Sequence, residues 1–179
     1  MPFVYFGLHW LYNAAIHPED SILQQQPSSF IFDDTLRQVL STILNVSLSD
    51  DQWLQASLPV QKGGLGIRSA GMLASSAYLA SAAATLRLQN AILANSCCLS
   101  RDPAVDEALI IWKTQSHTVE PASPAYQYQK AWNNIVASSA VDNLASRCNN
   151  KIDNARLKAA VAPHSGDWLN AIPISSVGL

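Results

Sequence analysis

Charge is what this chain has least of. Asp, Glu, Lys and Arg make up 13% of its 179 residues, about half the usual share. Eleven Lys and Arg stand against thirteen Asp and Glu, for a net charge of −2. Nucleic-acid binding draws most of its non-specific affinity from phosphate neutralisation. Strong autonomous binding is therefore not expected. Cysteine is also scarce: Cys97, Cys98 and Cys148. An odd count with a vicinal pair excludes a disulfide framework and fits no zinc site, which points to reduced thiols in an intracellular protein, cytoplasmic or nuclear. His9, His17, His117 and His164 show no ligand spacing, so no metal is expected. No Gly-x-Ser-x-Gly elbow occurs, nor a phosphate loop ending in Gly-Lys-Ser/Thr, and no cofactor is expected. Long hydrophobic runs are missing too. Pro2 to Ile16 is apolar but shorter than the ~20 residues that span a bilayer, and it has no Lys or Arg to open a signal peptide. A membrane partner is not expected, and the stretch reads as a buried helix over about Phe3 to Ala15.

What the chain does have is apolar residues, 49% of the total, enough for the core of one domain. Their spacing is helical. Leu36, Val39, Leu40, Ile43 and Leu44 fall on one helix face, predicting a core-facing helix from Asp33 to about Asn45. Gln24 to Ser29, with Pro27 among them, reads as a linker. Ser49 with Gln52 is a capping-box pattern, followed by Trp53 and Leu54 as apolar anchors. A long helix is expected from Arg68 or Ser69 to about Leu93, its alanines allowing close helix approach. Asp102-Pro103 and Ser123-Pro124 each place a cap before a first-turn proline. The first predicts a helix to Gln115 burying Val105, Leu109 and Trp112. The second predicts one carrying Tyr128, Trp132, Ile135, Val136 and Leu144, broken at Asn149-Asn150 before a last helix with Ile152, Leu157 and Val161. Strand signals are scarce and no long period repeats. The expected fold is all-α, an irregular bundle of six or seven helices with a Gly-rich turn between helices.

That turn is the most informative stretch: Leu58-Pro59-Val60-Gln61-Lys62-Gly63-Gly64-Leu65-Gly66-Ile67-Arg68-Ser69, leading into an Ala/Ser-rich helix. The glycines allow positive φ angles and a sharp reversal. Two readings stay open. A plain structural turn is preferred. Alternatively, the amides of Gly63, Gly64 and Gly66 beside a helix start, flanked by Lys62 and Arg68, hold a nucleic-acid phosphate.

Residues 49–82, SDDQWLQASLPVQKGGLGIRSAGMLASSAYLASA, resemble the segment that follows the polymerase palm in reverse transcriptases of non-LTR retrotransposons. The similarity extends from about Phe30 to Leu179, including GDWLNAIPISSVGL at 166–179, which is like the linker into a C-terminal zinc-binding and endonuclease region. The resemblance implies a thumb or connecting region. It implies no activity, because polymerase chemistry needs carboxylates for two Mg²⁺ ions. The pairs Asp33-Asp34 and Asp50-Asp51 lack the aromatic residue two places earlier and read as helix caps. A fragment without its catalytic parts is the expectation, and not an enzyme. It divides into an apolar segment and linker at 1–29, a helical domain at 30–165 and a tail at 166–179.

Two functions follow, the first preferred and the second its alternative. In one, the chain is a non-catalytic remnant that weakly contacts an RNA or DNA backbone through the glycine turn with Lys62 and Arg68, and through the one local basic cluster, Arg147, Lys151, Arg156 and Lys158. In the other, it is a helical protein-interaction module with no nucleic-acid role, meeting a partner or a second copy through apolar helix faces. Cations gathered beside the turn favour the first, and an apolar groove the second.

Overall fold

The computed structural model describes residues 22–92, 102–117, 120–121 and 127–170, with side chains at all of these except 22–28 and 170. The expected helix at Phe3 to Ala15, Cys97, Cys98, the Ser123-Pro124 start and the end of the tail lie outside them. The architecture is all-α, with no strand among the described residues. The helices are α1 (Ile22–Leu44), α2 (Asp50–Ser57), α3 (Ala70–Ile92), α4 (Pro103–Ser116), α5 (Gln129–Arg147) and α6 (Lys151–Val161). A 3₁₀ turn at Val60–Lys62 follows α2, and another at Asp167–Asn170 follows α6.

Local sequence sets most of the helix ends. The Ser49 hydroxyl accepts the Gln52 amide, and the Gln52 side chain accepts the Ser49 amide at 2.9 Å, completing the expected capping box on α2. Asp102 caps α4 through the Ala104 amide, with Pro103 in the first turn. Asn150 caps α6 by accepting the Ile152 amide, so the chain breaks between α5 and α6 where the asparagines stand. Asn45 and His117 close α1 and α4 in the left-handed region, with φ of 52° and 53°.

The core is two clusters joined along α5. In the first, α3, α4 and α5 bring together Leu79, Ala80, Ala108, Leu109, Trp112, Trp132 and Val136. The Trp112 and Trp132 rings meet edge to face, centroids 4.9 Å apart, an arrangement that the ring quadrupoles favour. Ala80 and Ala108, both buried, let α3 and α4 approach closely. In the second cluster Leu58, Ala137, Leu144 and Leu157 are buried together, and Met72 packs against both clusters.

Three expectations are corrected. Gln24 to Ser29 is not a linker but part of α1; glutamine is a good helix former, while Pro27 lacks the amide that would bond to the Leu23 carbonyl. Tyr128 is not within a helix but at the N-cap of α5, extended and 65% exposed. The third concerns which side of α1 faces inward. Of the expected stripe only Leu40 is buried, while Val39, Ile43 and Leu44 are exposed. The inward face is Asp33, Arg37 and Leu40, at i, i+4 and i+7. Asp33 bonds to the start of α3, and Arg37 reaches Asp50 at 2.8 Å and the Leu48 carbonyl. Two ionic anchors rotate the helix, and the stripe turns with it. On α6, Ile152 is likewise exposed, whereas Leu157 is buried as expected.

Candidate nucleic-acid interface

The glycine turn folds because its own backbone satisfies it. Lys62 and Gly64 amides donate to the Pro59 carbonyl at 2.8 and 3.2 Å, Gly63 to Val60 at 3.0 Å, Leu65 to Ala56 at 3.1 Å and Gly66 to Leu58 at 2.9 Å. Gly63 and Gly66 hold φ of 78° and 75°, where a Cβ is disfavoured. Gly64 is needed for space, since a Cβ there would stand 2.1 Å from the Leu58 carbonyl oxygen. The turn is also covered: Gly63 lies against Ala160 of α6, and Gly166 against Val60. Every amide from Lys62 to Gly66 is engaged inside the turn, and a phosphate finds none of them open.

The start of α3 is occupied as well. The Asp33 carboxylate accepts the Ala70 amide at 2.7 Å, the Gly71 amide at 3.0 Å and the Ser69 hydroxyl at 2.6 Å. Ser69 in turn accepts the Met72 amide through its hydroxyl and the Leu73 amide through its carbonyl. A helix N-terminus attracts anions because its first amides lack partners and its dipole is positive there. Here a carboxylate of the chain's own α1 takes that place. Asp33 therefore caps a helix, as its type suggests, but a distant one rather than its own.

The cations divide. Arg147 pairs with Asp51 at 3.0 Å and Arg156 with Asp153 at 3.3 Å. Lys62, Lys151 and Lys158 have no ion pair among the described residues. Packing of Gly63 on Ala160 sets the turn that carries Lys62 against the C-terminal half of α6, the helix that bears Lys158. Arg68 stands apart, half-buried beside Ser57, Pro59 and Asn133, and burial lowers its pKa from the usual guanidinium value. The structure thus gathers part of the expected set and leaves Arg68 in an apolar recess. Asp50 and Asp51 are first-turn residues of α2 engaged with Arg37 and Arg147.

A feature that residue spacing did not reveal is a groove of about 200 Å³ between α5 and α6. Val141, Ala145, Leu157 and Val161 make it apolar, Lys158 stands at its lining, and the buried Asn154 side-chain oxygen has no hydrogen-bond partner. Its walls are residues one or two helical turns apart on two helices, and only the angle between those helices opens the space. Among the described residues no group of three or more His, Cys, Asp or Glu side chains is placed to hold a metal ion. No helix among them is long and apolar enough to cross a membrane.

What fold and site define together is an all-α domain with an internally capped glycine turn. Set against models of known protein families, against characterised proteins and against solved structures, the chain matches none.

Proposed function

We propose that this chain is a helical protein-interaction module, and that its resemblance to the post-palm region of non-LTR reverse transcriptases marks its origin rather than a retained grip on nucleic acid. The observation that carries this reading is the α5–α6 groove, with Lys158 at its lining. The apolar walls and the exposed Lys158 suit a partner helix or peptide that supplies one aliphatic side chain and one carboxylate near Lys158. The engaged amides of the turn and the occupied start of α3 support the same reading.

A second reading, weak backbone contact by a thumb-like remnant, draws on Lys62 and Lys158, which stand on two elements packed together, the turn and α6, and have no ion pair among the described residues. One pair of titrations separates the two. An environment-sensitive apolar dye is expected to bind the purified chain and to bind less to Ala145→Phe, which fills the groove. Anisotropy with a short RNA–DNA duplex is expected to stay flat at low and moderate salt. Duplex binding that weakens steeply with salt, lost in Lys62→Ala, favours the remnant reading instead.

A further inference from the structure

One side of α1 is apolar, open and without charge. Phe32, Val39 and Ile43 are exposed by 55%, 50% and 73%, and Leu36 among them is half-buried. These four recur at intervals of four, three and four, the 3.5-residue period of a seam between two helices. The core uses a different side, since α1 seats inward through Asp33, Arg37 and Leu40. An open stripe with the period of a seam, displaced from the side that faces the core, fits a second helix laid along α1 from outside.

Charge identifies that helix. Asp33, Asp34 and Arg37 are the charged residues of α1, and none lies on the stripe. Asp33 and Arg37 are engaged inward, and Asp34, two positions after Phe32, lies on the opposite side of the helix. A partner recognised by charge finds nothing here to pair with. A second copy of the same stripe meets it without like-charge repulsion. At the edge of the stripe, Thr35 and Thr42 donate their hydroxyls to the Ile31 and Gln38 carbonyls at 2.8 and 2.9 Å, so covering them orphans no donor. Area sets the strength. With the flanking Ile31, the stripe leaves on the order of 500 Å² of apolar surface on each chain, so two copies bury about 1,000 Å², the lower limit of a specific interface.

We propose that α1 pairs with α1 of a second copy through Phe32, Leu36, Val39 and Ile43, in a weak two-fold dimer. This contact is separate from the α5–α6 groove, and neither requires the other. A two-fold contact is self-complementary, so each substitution enters it twice. Held by apolar contact alone over so small an area, it has a dissociation constant of micromolar order, and salt does not weaken it.

Sedimentation velocity on the full chain, over about 1 to 500 μM, tests the pairing. The mass is expected to rise with concentration from one chain to two, equally at low and moderate salt. Ile43→Glu sets two carboxylates in the seam and is expected to raise the dissociation constant at least about tenfold. Val39→Glu is expected to act alike, so the result does not hang on the folding of one variant. Ile110→Glu, at a similarly exposed position on α4, leaves the dimer unchanged, and so does Ala145→Phe in the groove. Three results overturn the proposal: a monomer throughout that range, a dimer that neither Ile43→Glu nor Val39→Glu weakens, or one that Ile110→Glu or Ala145→Phe weakens as much. A dimer that salt dissociates places the contact on charged surfaces and overturns it too.

Discussion

The carboxylate of Asp33 accepts the Ser69 hydroxyl at 2.6 Å across 36 residues of sequence, and the same carboxylate holds the Ala70 and Gly71 amides. One side chain therefore caps α3, anchors α1 and fills the site where an external anion would otherwise bind. Asp33→Ala is expected to destabilise the fold by about 2 kcal/mol, because it removes a cap and leaves two helix-start amides without their acceptor. Asp33→Asn, which keeps one acceptor but loses the charge, is expected to cost about 1 kcal/mol. Urea unfolding reads both as lower midpoints at an unchanged slope. An unchanged midpoint for Asp33→Ala would show that water replaces the carboxylate without loss.

That contact also shows where the sequence stops being legible. Ser49 with Gln52, Asp102 before Pro103, and Asn150 before α6 bond to amides two or three residues away, so type and spacing are enough to find them. Trp112, Trp132 and Leu157 are buried because their helices each turn one apolar side to the core. The face of α1 was misread because Asp33 and Arg37, both charged, point inward, and their partners lie in other helices. Periodicity counts apolar residues and cannot weigh two ionic anchors against three exposed aliphatic side chains. The glycine turn was legible as a turn. Whether its amides stay open depends on the carbonyls of Ala56, Leu58, Pro59 and Val60, whose directions only the folded chain fixes.

The three turn glycines are not equivalent, and their alanine variants separate space from backbone angle. At Gly64 a Cβ would lie 2.1 Å from the Leu58 carbonyl oxygen and 2.6 Å from that of Gln55, backbone atoms that cannot swing away. Gly64→Ala is expected to cost at least about 3 kcal/mol or to abolish cooperative folding. Gly66 has a positive φ but meets only a Val60 methyl at 3.4 Å, so Gly66→Ala is expected to cost about 1 kcal/mol. Gly63 combines a positive φ with Ala160 backbone at 3.0 Å and should fall between them. Thermal or urea unfolding gives the order, and a Gly66 variant worse than the Gly64 one would contradict it.

Ser76 and Ser116 are fully buried, and neither hydroxyl has a hydrogen-bond partner. A buried hydroxyl left unbonded destabilises the folded state relative to water. Replacing it by a methyl group removes that cost and one oxygen's volume, and alanine is the better helix former at both positions. Ser76→Ala and Ser116→Ala are each expected to be neutral or stabilising by up to about 1 kcal/mol, against the usual trend of core substitutions. Loss of more than that in either variant would reveal an internal water held by the hydroxyl.

Tyr78 gives the fold a dependence on alkaline pH. Burial pushes its phenol up from 10.0 to about 12, helped by the negative charge of Asp102, whose carboxylate accepts the phenol hydrogen bond at 3.4 Å, and by Glu107. The folded chain keeps this proton between pH 10 and pH 12 while the unfolded chain releases it. More protons are then bound in the folded state, so stability falls as pH rises through that window and is unaffected below it. The side chain is only partly buried, and solvent screens the charges, so the expected loss is about 1 kcal/mol. Tyr78→Phe removes the titrating group without emptying its place, so the variant should show a shallower decline between pH 10 and pH 12 than the parent chain. Tyrosinate absorbance provides the second readout: one tyrosine in the folded parent should ionise late, and that late phase should be missing from the variant. Identical alkaline profiles for the two proteins would place the proton release of Tyr78 at the same pH in folded and unfolded chains, and its bond to Asp102 would then carry no pH-linked stability.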